Sequence, residues 1–269
     1  MPESHLRHYY KTSVFYLEGL LRKPSNYHAA YVELAQHYVA PGSVILDLGA
    51  GTAASSEVLA RNFTTVALDL SHLFLKGGFS EHPSNLSRVA GDAQDLPFKP
   101  GTFHLVGAFE FVEHVSDVGA VFQEIDRILR PGGFVLIISP NMLSPLNAVV
   151  AFLREARRGA VQFSGLTQAV RSWWLTTAKV LSATTKFLMR NVPARDDLHS
   201  DMDACYFASP VDLEKWFSHR EYQILRYQKG GRTRLGRSVN WLFGSYAPTI
   251  YFVAQKPVAQ PALPPAVAS

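Results

Sequence analysis

Residues 43–53 read SVILDLGAGTA. Val44, Ile45, Leu46 and Leu48 are apolar enough for a strand buried on both faces. Gly49 and Gly51 then let the backbone turn sharply and let a ligand come close to the main chain. The segment beyond, at about 53–62, reads as a helix, and the free N–H groups at its start favour an anion. A strand, a glycine turn and a helix in this order form the opening unit of many nucleotide-binding α/β domains.

The same rhythm extends to both sides. Residues 26–40 read as a helix that Pro41-Gly42 ends. Downstream, TTVALDL (64–70), LSRVAG (86–91), FHLVGAF (103–109) and FVLIIS (134–139) read as strands. A helix at about 115–130 carries Val118, Phe122, Ile125 and Leu129 at helical spacing, and Pro131-Gly132-Gly133 breaks it. Apolar strands alternating with helices predict a parallel sheet covered on both faces. After Pro140 the rhythm changes: 145–158 and the stretch marked by Leu166, Val170, Trp173, Trp174, Thr177 and Leu181 read as amphipathic helices. Ser209-Pro210-Val211-Asp212 is a helix start, with Ser as N-cap, Pro at the first position and Asp two further on. YQILRYQ (222–228) and PTIYFVAQ (248–255) are late strands, and the Pro/Ala-rich residues 257–269 are expected to be a disordered tail.

Asp69 closes the second strand, placed to accept hydrogen bonds from both hydroxyls of a ribose. These features leave two cofactors open, because Gly49-Ala50-Gly51-Thr52-Ala53-Ala54 also satisfies the dinucleotide pattern G-x-G-x-x-A.

Taken together, VILDLGAGTA, LDLS, GDAQDLPF, FHLVGAFEFVEHVSD and LRPGGFVLIISPN, in that order over about residues 40–141, resemble the class I S-adenosylmethionine (SAM) dependent methyltransferase family, in its small-molecule and quinone-biosynthesis branch. The likeness returns more weakly at 209–255. It implies an α/β fold with a Rossmann-like, seven-stranded, doubly wound sheet, mostly parallel with the last strand antiparallel, and a helical lid inserted after strand five. It divides the chain into an N-terminal helical segment covering the cofactor (1–40), a SAM-binding core (41–141), the lid (142–205) and the C-terminal part of the sheet (206–256). By the same resemblance Gly49, Ala50 and Gly51 line the methionine portion of SAM, and Asp47 holds its ammonium through water. Asp69 binds the ribose, Leu70 packs on the adenine, Asp92 accepts from the adenine amino group, the Ala93 N–H reaches a ring nitrogen, and Phe109 offers its carbonyl near the ammonium. The family's third glycine is Ala53 here, a residue small enough to fit. An NAD(P)-binding oxidoreductase, a SAM-binding protein without turnover and an RNA-modifying protein are the alternatives.

Methyl transfer asks an enzyme mainly for orientation and a dry site, with a general base where the acceptor must lose a proton. His114 is the base candidate by location; His199, Tyr9, Tyr10 and Tyr206 are the alternatives. Glu113 beside it reads as part of a helix start. The acidic run DDLHSDMD (196–203) reads as a solvated loop, and no metal is expected. Ala108-Phe109-Glu110-Phe111 is not the Asn/Asp-Pro-Pro-aromatic signature of enzymes that methylate amide or adenine nitrogens. The expected acceptor is therefore a small, apolar or lipid-linked molecule methylated on O, C or N.

Composition and charge speak to partners. Apolar residues make up 47% and charged residues 18% of the 269, a globular composition. Residues 143–195 hold eight Lys/Arg against Glu155, a net +7 within a chain of +4. A second basic run, 229–237, carries Lys229, Arg232, Arg234 and Arg237. With Trp173-Trp174 in a basic amphipathic helix, these segments predict a lid apolar inside and basic outside, its rim touching an anionic membrane surface. Nucleic acid is not the expected partner, and the chain is expected as monomer or homodimer. A lone cysteine, Cys205, and the lack of a signal-peptide pattern or an 18-residue apolar stretch predict a cytoplasmic protein, membrane-associated through that lid.

Overall fold

The computed structural model describes residues 2–78, 83–147, 149, 164–181, 187–189, 191–192, 203–225 and 244–258. Seven strands form one sheet: β1 (Val44–Leu48), β2 (Thr64–Asp69), β3 (Leu86–Ala90), β4 (Phe103–Phe109), β5 (Leu129–Pro140), β6 (Gln223–Ile224) and β7 (Thr249–Gln255). Their order is β3-β2-β1-β4-β5-β7-β6. Strands β1 to β5 pair in parallel, while β7 runs antiparallel between β5 and β6. This is the seven-stranded, mostly parallel sheet with an antiparallel last strand that the resemblance implies.

Successive residues of a strand point to opposite faces, and here both faces are dry. Ile45, Leu105, Leu136 and Val253 pack on one face with Tyr31, Leu34 and Ala35 of α3 (Ala29–Tyr38). Leu46, Val106, Ile137 and Phe252 pack on the other with Val121, Phe122 and Ile125 of α6 (Val118–Ile128). Helices α1 (Pro2–Thr12) and α2 (Val14–Leu21) precede α3, and α4 (Ala54–Leu59) and α5 (His72–Gly77) follow β1 and β2. Helix α6 is shorter than its spacing predicts. Val112–His114 forms a separate 3-10 turn, and the Asp117 carboxylate caps the helix by accepting from the Ala120 N–H at 2.9 Å.

Two further helices are described: α7 (Ser164–Leu181) and α8 (Pro210–Ser218). The Ser209 hydroxyl caps α8 as expected, with Pro210 in its first turn. Asp212 faces inward, taking the Lys179 ammonium at 2.6 Å and the Tyr206 hydroxyl at 3.1 Å. Along α7 that pairing runs against the polarity expected of the lid. In α7 the side chains of Ser172, Thr176 and Lys179 are buried, while Val170, Trp173, Trp174 and Leu181 are exposed. The buried side is polar because it has partners: Thr176 donates to the Leu143 carbonyl and Lys179 pairs with Asp212. The expected helix at 145–158 and the basic run 229–237 lie mostly or wholly outside the described residues, as does the tail beyond 258. Among the described residues no helix is long and apolar enough to cross a membrane.

Candidate cofactor and active site

In an open parallel sheet a crevice forms beyond the carboxyl ends of the strands where the order reverses, here between β1 and β4. A cavity of about 540 Å³ lies there. Its lining includes Asp47, Gly49, Ala50, Gly51, Asp69, Leu70, Asp92, Ala93, Phe109 and His114, all ten of the residues singled out from the sequence. Side chains of the N-terminal segment form the opposite wall, among them Arg7, Tyr10, Tyr16, Leu20 and Tyr27. Tyr16 stacks on Phe74 of α5 with ring centroids 5.6 Å apart, which docks the segment onto the core.

The glycine turn is tightly built. Gly49 has φ +72°, and a Cβ there would lie 2.1 Å from Cδ2 of Phe111, so that ring covers the turn. Ala53, standing at the family's third glycine, is in the left-handed region with φ 60° and is wholly buried. Such a conformation costs an L-residue roughly 1–2 kcal/mol. Glu110, at the exit of β4 on the cavity wall, is also left-handed at φ 49°. Strain of this kind persists where the surrounding structure holds it.

The three aspartates differ in their surroundings. Asp47 is buried, and its oxygens accept from Tyr31 (2.8 Å), Ser55 (2.7 Å) and Ser56 (2.5 Å). Burial raises its pKa and these hydroxyls work against the rise. The carboxylate thus ties β1 to α3 and α4. Asp69 accepts the Gly51 N–H on one oxygen and the Ser71 N–H on the other, both at 2.8 Å. Burial pushes it up to about 6 despite those two bonds. Asp92 accepts the Gln94 N–H at 3.0 Å and is ion-paired with Arg7 of α1.

Phe109 is packed among Tyr27, His28 and Tyr31, with ring centroids 5.0–5.7 Å away. Of the alternative bases, Tyr10 reaches the cavity wall beside His114. Tyr9 is buried in a small cluster with Leu6, Val192 and Cys205, and Tyr206 is buried against Asp212. Neither of these two lines the cavity. His199 lies outside the described residues. Asp203 is no part of a solvated loop: it is 1% exposed and accepts from Tyr10 at 2.6 Å. Sequence reasoning passed over Arg7, Tyr16, Phe111 and Asp203 as site residues. The faint mark of Arg7 is a run of aromatic and basic residues, HLRHYY, in α1.

The donor set fits the cofactor that the resemblance implies. A cavity of this size suits a nucleoside-bearing ligand, the glycine turn exposes main chain to it, and two carboxylates on adjacent strand ends can accept hydroxyl and amino protons.

A family model described as a methyltransferase domain matches residues 46–137. Among curated proteins, the demethylmenaquinone methyltransferase of Mycobacterium marinum is 36% identical over 149 residues, covering 50% of this chain and 62% of that one. The protein of the same name from Streptomyces avermitilis is 42% identical over 98 residues, 36% of this chain and 42% of its own length. The chain thus matches less than two thirds of the length of either relative. Among solved structures, a SAM-dependent methyltransferase from Mesorhizobium loti aligns with TM-score 0.55 at 14% identity, over 88% of this chain and 100% of that one. Another, from Listeria monocytogenes, aligns with TM-score 0.53 at 10% identity, over 85% and 98%. These two share the fold. The motifs of strands one to five, the sheet order and the family match agree: residues 46–137 match a methyltransferase domain, within a sheet that shares the fold of these two methyltransferase structures.

Proposed function

We propose that this protein transfers a methyl group from SAM to a small, lipophilic, quinone-like acceptor. The observation that carries the reading is one cavity lined by the glycine turn, Asp69, Asp92 and His114 together with aromatic side chains of the N-terminal segment. The names of the curated relatives support the acceptor class.

SAM supplies a methyl group activated on a sulfonium. In this reading Gly49, Ala50 and Gly51 receive its methionine portion and Asp69 accepts from the ribose hydroxyls. Leu70 packs on the adenine, while Asp92 and the Ala93 N–H read its edge. The Phe109 carbonyl takes the ammonium. Asp47, saturated by three hydroxyls, holds the turn in shape and adds negative charge beneath it. Tyr10, Tyr16, Phe111 and Leu20 exclude water, which strengthens every electrostatic interaction inside. His114 is the base. The exposed Trp173-Trp174 pair of α7 would meet the anionic surface from which a lipophilic acceptor is drawn.

The test has three arms. Isothermal titration against SAM and against NAD should show SAM binding; tight NAD binding without SAM binding would sink the reading. Methyl-labelled SAM with demethylmenaquinone should give labelled product; no transfer with SAM bound would remove the acceptor class. Sedimentation with phosphatidylglycerol vesicles should be lost at high salt or in Trp173→Ala/Trp174→Ala; no sedimentation at low salt would remove the membrane contact.

A further inference from the structure

Four ionisable side chains that no single motif joins meet at the 3-10 turn Val112–His114. The Tyr10 hydroxyl donates to Asp203 Oδ2 at 2.6 Å. His114 Nδ1 lies 3.1 Å from that same oxygen and 3.1 Å from the tyrosine oxygen. On the other side of the ring, Nε2 lies 3.7 Å from Oε1 of Glu113. Glu113 is wholly buried; its second oxygen accepts from the Ser139 hydroxyl at 2.9 Å, and Oε1 has no hydrogen-bond partner among the described residues. The Cys205 and Tyr206 N–H groups both donate to the Glu113 carbonyl, which pins the Asp203 segment against the turn.

The proton positions follow from these contacts. Burial works to raise the Asp203 carboxyl, but a protonated His114, with the hydrogen bonds from His114 and Tyr10, outweighs it and brings it down to about 2; beside a neutral ring the Tyr10 hydrogen bond still favours the ionised form. An ionised Asp203 can only accept, so the nitrogen facing it carries a proton. With the proton on Nδ1, the neutral ring keeps its lone pair on Nε2.

We propose that Asp203, assisted by Tyr10, is the positioning residue that fixes the tautomer and orientation of His114 as the base of methyl transfer. The proposal rests on the methyltransferase reading of the cavity. In the step, the acceptor's proton passes to His114 Nε2 while its nucleophilic atom bonds to the methyl carbon. The carbon–sulfur bond breaks and its electron pair stays on sulfur, leaving S-adenosylhomocysteine, methylated acceptor and an imidazolium. The imidazolium then stands between the Asp203 carboxylate and Glu113. Burial pushes Glu113 up to about 7, so it gains its charge near neutrality.

The test combines spectroscopy with kinetics on the full chain. Long-range ¹H–¹⁵N correlation spectra, with the His114 signals assigned through His114→Gln, should show the Nδ1–H tautomer in the unsubstituted protein. In Asp203→Asn that tautomer should be lost. With demethylmenaquinone as acceptor, kcat should fall by about 10²–10⁴-fold, by analogy with loss of the carboxylate partner of a catalytic histidine, while the Kd for SAM holds. Asp203→Glu should recover part of the rate, and His114→Gln added to Asp203→Asn should cost little more. An Nε2–H tautomer in the unsubstituted protein, which needs no variant to fold, would overturn the proposal. So would a kcat in folded Asp203→Asn within a few-fold of the original. Failure to bind SAM would instead overturn the methyltransferase reading, and the tautomer spectrum would still decide the pairing.

Discussion

Asp69 gives the cofactor reading a pH signature. Its carboxyl is pushed up to about 6 by burial, against two backbone N–H bonds. A ribose hydroxyl donates to the ionised form, so binding should require that form. With a pKa of about 6, the ionised fraction is roughly 97% at pH 7.5 and roughly 9% at pH 5. The Kd for SAM should therefore weaken about tenfold between those pH values, or about 1.4 kcal/mol. The ammonium of SAM stays protonated through this window. The apo-protein should respond the other way. A carboxyl raised above its unfolded value of about 4 binds protons more tightly when folded, so stability is gained as pH falls from about 6 toward 4. The rise in Tm on adding SAM should shrink accordingly. The assay is isothermal titration at half-unit steps of pH, repeated with Asp69→Asn. That variant should bind SAM more weakly and without the slope. A flat profile in the original protein, or the same slope in Asp69→Asn, would refute the reasoning.

Three further outcomes are expected. Gly49→Ala places a Cβ 2.1 Å from the Phe111 ring at φ +72°; SAM affinity should fall at least roughly tenfold as the ring is driven into the cavity, given a left-handed penalty of about 1–2 kcal/mol before any clash, and circular dichroism should stay native. Tyr31→Phe removes a donor from buried Asp47; a bond to a charged group is worth about 1.5–3 kcal/mol, and thermal denaturation should show Tm lowered by roughly 3–12 °C, so an unchanged Tm would contradict the account. Lys179→Met leaves Asp212 buried without its cation; the cost should be about 3–5 kcal/mol, seen as faster hydrogen exchange across 164–181, and Lys179→Met/Asp212→Leu should recover much of it.

The sheet was legible because each strand is a local apolar run and its two faces alternate along a few residues, as Ile45 and Leu46 do. The cavity floor was legible for the same reason: the glycine turn, Asp69 and Asp92 all sit at strand ends, where the chain's own rhythm places them. The cavity wall was legible only in outline, as an N-terminal segment over the cofactor with Tyr10 among the base candidates. Arg7 and Asp203 come from distant parts of the sequence and reach the site only through tertiary packing, so no spacing marks them. Asp203 shows the limit well, since an acidic run looks solvated until a tyrosine and a histidine from elsewhere cover it. Lys179 shows it in reverse: within a basic segment it reads as a surface charge, and its partner lies on another helix. Asp47 was placed correctly at the turn, but the hydroxyl from Tyr31 that helps saturate it belongs to a different element.

The antiparallel seventh strand makes the sheet dependent on sequence far from its motifs. The match to the family model ends at residue 137, inside β5. Along 134–140 that strand is paired residue by residue with β7, from Phe134 with Gln255 to Pro140 with Thr249. A chain cut where that match ends would present β5 as an open edge carrying wholly buried apolar side chains such as Leu136 and Ile137, a template for pairing with another copy. During synthesis the same edge stands uncovered from the appearance of β5 until Gln255 has been made. That interval, and not any property of the finished sheet, is when this protein is most exposed to aggregation.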